Sequence, residues 1–241
     1  LEKMNELRAR IEALVEDPNT SEALKPWYRM FCKRPCFHDQ YLQTFNRDNV
    51  TLVDTEGQGV ERITESGVVV AGVENPVDCI VYATGFEVGT GFQRVSGFEI
   101  YGRDGLSLSD KWADGIRTLH GMHIHGFPNC FMMSTIQGGF TVNYSHMLDE
   151  VATHVAHIVG HALAIEKEVV ETSAEAEARW VQTILDKGVR GGIIGDETCT
   201  PGYYNNEGKP REHFEQMVSY GDGPIPFFNL LAKWRDTGEF T

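Results

Sequence analysis

The sequence predicts an α/β fold. Short β-rich runs alternate with segments of helical periodicity, and one run is apolar almost throughout, as in a strand covered on both faces of a parallel sheet. The composition supports a buried core: of 241 residues, 41% are hydrophobic and 10% aromatic. That excludes a disordered chain and suffices for one large domain or two small ones.

Residues 1–15 read as a charged amphipathic helix carrying Glu2, Lys3, Glu6, Arg8 and Arg10, which is unlike a signal peptide. The turn cluster Asp17-Pro18-Asn19 stops it, and a helical turn at 21–24 ends before Lys25-Pro26. Strands are expected at 50–54, at 67–72 between glycines, and most strongly at 78–83 (Asp-Cys-Ile-Val-Tyr-Ala). Residues 129–134 have the same strand character and run into Gly138-Gly139. From 143 to 163, Met147, Val151, Val155 and Ile158 recur three or four apart, which predicts a long helix. A second helix is expected at 174–187 with Ser173 as its N-cap. Residues 188–204 are glycine-rich and irregular, 213–220 read as a late strand, and 226–234 as a last helix.

The formal net charge of −14 disfavours nucleic acid and anionic lipid unless a local basic cluster offsets it. No uncharged run approaches the roughly 20 apolar residues of a membrane span. Five scattered cysteines (32, 36, 79, 130 and 199) suggest reduced thiols in the cytoplasm, not a disulfide framework. Cys32 and Cys36 have zinc-compatible spacing without a second close pair, so no metal is expected. The chain opens on Leu1, not Met, which hints at a missing upstream segment.

Histidine is the first place to look for catalysis. His123 and His125 share one face of an extended segment beside His120, but read best as polar loop side chains. His154, His157 and His161 sit at i, i+3 and i+7, and Glu150 is outside the His-Glu-x-x-His position; a solvated helix face is the expectation. Glu171, Glu175 and Glu177 read as an exposed acidic helix start. No Gly-x-Ser-x-Gly elbow, Walker motif or complete GxGxxG is present: Gly89-Thr90-Gly91 meets Arg94 where the third glycine is required.

Two segments are more specific. In Phe31-Cys32-Lys33-Arg34-Pro35, the proline holds the preceding residues extended, so Lys33 and Arg34 point opposite ways, one able to grip a phosphate. It is followed by Tyr41 and then Phe45-Asn46-Arg47-Asp48-Asn49-Val50. In Ala83-Thr84-Gly85-Phe86, small residues at a strand end let the backbone pass close to a cofactor.

In this order and about 45 residues apart, the two segments resemble the Baeyer–Villiger monooxygenases, the ketone-oxygenating branch of the class B flavin-containing monooxygenases. The similarity continues through Gly126-Phe127-Pro128-Asn129 and Gly208-Lys209-Pro210-Arg211, covering the chain from about Lys25 on. It implies FAD and NADPH as cofactors, a ketone and O2 as substrates, and a Rossmann-like flavoprotein fold with two dinucleotide-binding domains. Both glycine fingerprints of that family lie in an N-terminal half, so the resemblance implies a C-terminal portion that acts with that half as its partner. Residues 1–84 would finish the NADPH domain with its helical insert, and 85–241 the FAD domain.

The resemblance also implies roles. Arg34 matches the catalytic arginine that stabilises the negatively charged peroxyflavin and holds NADP, a task suited to a permanent cation. Lys33 matches the lysine near the 2′-phosphate. Thr84, Gly85 and Phe86 form the hinge at the cofactor, and Ser145, His146 and Met147 the helix start beside the flavin. Val142, Asn143 and Tyr144 would line the ketone pocket. Many members carry a tryptophan where Thr200 falls here, so Tyr203 is expected to substitute, in a variant resembling the subgroup acting on large cyclic or steroidal ketones. Two rivals remain: an N- or S-oxygenating flavin monooxygenase, and a truncated module that binds without turnover.

Overall fold

The computed structural model describes residues 2–30, 32, 33, 35–85, 92–188, 199 and 212–238. The chain is mixed α/β and divides into two compact units, residues 1–86 and 87–241.

The first unit opens with α1 (Glu2–Leu14), which buries Met4 and Ile11 two turns apart. Asp17 caps α2 (Pro18–Leu24), its carboxylate accepting from the Thr20 N–H at 2.7 Å, with Pro18 in the first turn where no amide donor is needed. Those same bonds hold the Asp17 carboxyl below its usual range. After α3 (Tyr41–Thr44), Asn46 ties the end of α1: its amide donates to the Leu14 carbonyl (2.7 Å) and its oxygen accepts from the Glu16 N–H (3.0 Å). Three short strands follow, β1 (Arg62–Ile63), β2 (Gly67–Val70) and β3 (Val73–Pro76), in an antiparallel meander ordered β1-β2-β3. The β2–β3 turn places Ala71 and Gly72 at φ 48° and 75°, the pair of positive values a two-residue hairpin requires. Gly67 is needed for a different reason, since a Cβ there would stand 2.2 Å from the Asn75 carbonyl oxygen.

The second unit holds α4 (Phe92–Ser96), α5 (Leu108–Lys111), α6 (Tyr144–Ala164), α7 (Ala174–Lys187) and α8 (Pro224–Thr237). Its main core joins Met147 and Val151 of α6, Trp180 and Ile184 of α7, and Phe227, Phe228 and Leu231 of α8 around Met122. The long helices and the Ser173 cap, whose hydroxyl accepts from the Ala176 N–H, lie where periodicity and capping chemistry predict.

The strand predictions fare worse. Residues 50–54 and 78–83 form no ladder, 129–134 keep one antiparallel bridge (His123 to Phe131), and 213–220 contain a 3₁₀ turn at Phe214–Gln216. Val81 and Tyr82, expected in a doubly covered strand, are 83% and 71% exposed. A strand exists only through a hydrogen-bonding neighbour, and no described residue supplies one here. The one sheet among the described residues is antiparallel.

Polar residues also depart from expectation. His120, His123 and His154 are buried, not solvated, and their rings gather with Trp180 and Trp234 at centroid distances of 4.7 to 6.4 Å. Burial pushes their pKa values down, to about 3 for His120, about 4 for His123 and about 3 for His154, helped at His120 by His154 and His123 and at His154 by His123, Arg235 and His157. Glu177 is buried rather than exposed. Its carboxylate takes the Lys111 ammonium at 2.9 Å and the His125 N–H at 2.9 Å. Glu171 is likewise engaged, with the Arg103 guanidinium at 2.7 Å and the Gly126 N–H at 2.8 Å, which hold its carboxyl below the usual range. The start of α7 thereby staples the 103–126 segment. Cys36, Cys79 and Cys130 are not disulfide-bonded, whereas Cys32 and Cys199 are in disulfide form, contrary to the expected reduced set.

Candidate functional site

The first turn of α6 is delivered to the surface by a pinned loop. Gln137, at φ 57° and fully buried, is its anchor. The Gln137 side-chain oxygen accepts from the Thr118 N–H (3.0 Å) and hydroxyl (2.7 Å), while its amide donates to the Ile116 (2.6 Å) and Gln216 (3.0 Å) carbonyls. Its backbone carbonyl accepts from the Trp180 indole at 2.9 Å. Every polar atom of that amide is satisfied, as a buried amide requires. Gly139 then lets Phe227 close in, since a Cβ there would lie 2.7 Å from its ring.

Beyond this anchor, side chains turn outward. Phe140, Val142 and Tyr144 are 54%, 98% and 50% exposed. Asn143 is the N-cap of α6, its side-chain oxygen accepting from the His146 N–H at 3.1 Å. Ser145 and His146 are exposed, the His146 ring resting edge-on against Phe228 at 5.5 Å. Met147 is fully buried in the core. A 21-residue helix thus presents its positive end beside exposed apolar and aromatic groups. That arrangement fits a flat, partly apolar ring with an electron-rich edge. Replacing Asn143 by alanine is expected to cost about 1 kcal/mol through the lost cap, read as a lower melting temperature with helix content retained.

The other predicted residues lie in the first unit or outside the described residues. Lys33 is half-buried, its ammonium 5.6 Å over the Tyr28 ring. Burial foremost, and then Cys36, raises the Tyr28 hydroxyl above its usual range. Thr84 and Gly85 are exposed, and Gly85 takes φ 92°, a conformation that favours glycine. Arg34, Phe86, Thr200 and Tyr203 lie outside the described residues. Among the described residues, no cluster of three or more His, Cys, Asp or Glu is placed to hold a metal ion. Sequence reasoning missed Gln137: a lone glutamine before two glycines carries no signal for four buried hydrogen bonds.

No family model matches the chain. Curated relatives do. Pentalenolactone D synthase of Streptomyces exfoliatus is 54% identical over 239 residues, 98% of this chain and 41% of that protein. A Baeyer-Villiger monooxygenase of Streptomyces coelicolor is 47% identical over 97% of this chain and 38% of its own length. Over nearly its whole length the chain is similar to part of the Baeyer–Villiger monooxygenases. It spans about two fifths of the curated relatives it matches. An FAD-binding monooxygenase of Hypomyces subiculosus is 44% identical over 98% of this chain and 39% of its own. Among solved structures, a polycyclic ketone monooxygenase from Thermothelomyces thermophila matches 99% of this chain and 39% of its own, with a TM-score of 0.89 and 36% identity. A steroid monooxygenase bound to NADP matches 96% and 42%, with a TM-score of 0.78 and 27% identity.

Proposed function

We propose that the complete protein is an FAD- and NADPH-dependent Baeyer–Villiger monooxygenase. It inserts one oxygen atom of O2 beside a ketone carbonyl to give an ester or lactone. The observation that carries this reading is the match of nearly the whole chain to proteins so named, together with the Lys33-Arg34-Pro35 context. In this reading an N-terminal half supplies the pyrophosphate loops, residues 1–84 belong to the NADPH domain and 85–241 to the FAD domain. The protein works in the cytoplasm; among the described residues no helix is long and apolar enough to cross a membrane.

FAD, when bound, supplies the oxygen-activating chemistry, and NADPH the electrons. The chain's own residues bind and orient. The α6 N-terminus, with the backbone of Ser145, His146 and Met147, would help hold the flavin and stabilise its electron-rich form. Val142, Asn143 and Tyr144, with Tyr203, shape the ketone pocket; the 98% exposure of Val142 supports a role as an apolar contact for a group outside this chain. Thr84, Gly85 and Phe86 let the backbone pass close to the cofactor. Arg34 keeps a fixed positive charge where negative charge develops, and holds NADP. Lys33 provides a point charge for the 2′-phosphate.

The test is ketone-dependent oxidation of NADPH by the complete protein, with ester as product. Lys33→Ala is expected to raise the apparent KM for NADPH by about tenfold or more and leave that for NADH nearly unchanged, because only NADPH carries the 2′-phosphate. Equal effects on both cofactors would remove Lys33 from that role.

A further inference from the structure

A cavity of about 630 Å³ opens between the C-terminal half of α6, the start of α7 and the 119–123 loop. It lies about 20 Å along the helix axis from the α6 first turn. Its size is that of a small-molecule pocket. Its apolar wall comes from Ile158, Ala162, Ile165, Val169, Trp180 and Trp234. Into this setting His120 brings an imidazole 6% exposed, whose Nδ1 is buried with no hydrogen-bond partner. A buried polar atom left so costs about 1–3 kcal/mol, a cost that a bound group can relieve.

Two cations and one carboxylate line the cavity. Lys167 and Arg179 line it from exposed positions, and among the described residues neither is bound to a carboxylate. Glu175 stands one turn before Arg179 but is not part of the lining. The one lining carboxylate, Glu171, is already taken by Arg103 and the Gly126 N–H. The N-terminus of α7 adds its positive end through Ser173 and Ala176, which both line the cavity. On a chain of net charge −14 this is a local reversal of sign.

We infer that the cavity binds an apolar molecule bearing a single carboxylate, its hydrocarbon body between α6 and the two tryptophans and its anionic head toward Lys167 and Arg179. This stands apart from the oxygenation reading and does not depend on it.

Sodium decanoate is the probe, with decanol as its uncharged counterpart, titrated into the complete protein by calorimetry and followed by tryptophan emission. The expected result is saturable one-to-one binding of decanoate, with decanol weaker by about tenfold or more. The double variant Lys167→Ala, Arg179→Ala alters only exposed side chains; it should weaken decanoate by about tenfold or more and leave decanol unchanged. Ala162→Phe, which fills one wall, should abolish the binding of both, with circular dichroism confirming the fold. Absence of saturable binding, equal affinity for decanol, or indifference of decanoate to the double variant would overturn the inference.

Discussion

Replacing Arg34 by alanine in the complete protein is expected to leave flavin reduction by NADPH largely intact while ester formation collapses. The residue is proposed to hold a permanent cation at the point where negative charge builds up during oxygen insertion. Removing one such contact from a water-excluded site costs about 3 kcal/mol or more, on the order of a hundredfold in rate. Reducing equivalents would then emerge as hydrogen peroxide, not ester. Arg34→Lys should rescue little, since an ammonium lacks the planar fork of the guanidinium. Stopped-flow reduction alongside product analysis separates the two steps. A normal ester yield from the alanine variant would take Arg34 out of the active site.

The second large effect is on stability. His120, His123 and His154 are buried with pKa values of about 3 to 4, against about 6.5 in an unfolded chain. The unfolded chain therefore binds protons that the folded one refuses. The stability these groups contribute is fully present above about pH 6.5 and is lost as pH falls toward 4. At pH 5 linkage gives a loss of about 2 kcal/mol for each histidine, which is large for a domain of this size. Arg235 on α8 and His157 on α6 face the same cluster and oppose its protonation. Denaturant midpoints measured at pH 7, 6 and 5 should fall steeply, and His154→Leu, which removes one titrating group from the α6 core stripe, should flatten the decline. A midpoint independent of pH over that range would contradict the buried, neutral assignment.

What could be read from the residues divides along physical lines. α6 and α7 were legible because helical periodicity and the Ser173 cap are local signals. The unpaired 78–83 segment was misread because a strand is defined by its neighbour, and apolar composition says nothing of whether one is present. His154 was misread by its kinship with His157 and His161. Its register was the better guide, since it falls on the stripe of Met147, Val151 and Ile158, the helix's buried face. Glu177 makes the same point, standing three, four and seven residues before Trp180, Val181 and Ile184. At the candidate site, the turn at Val142, Asn143 and Tyr144 was proposed from the family resemblance, whereas the Gln137 clamp that precedes it depends on Ile116, Thr118 and Gln216, distant in the chain. Asn46 sits inside a motif that points to function, and its side chain does structural work, closing the end of α1.

The central claim concerns where oxygen goes. The complete protein, supplied with NADPH and a panel of cyclic ketones under ¹⁸O2, should yield a lactone carrying one ¹⁸O atom in the ring, with one NADPH consumed for each lactone formed. Unlabelled ketone recovered with every reducing equivalent released as peroxide, or a labelled N-oxide or sulfoxide from amine or sulfide substrates with no lactone from any ketone, would contradict it.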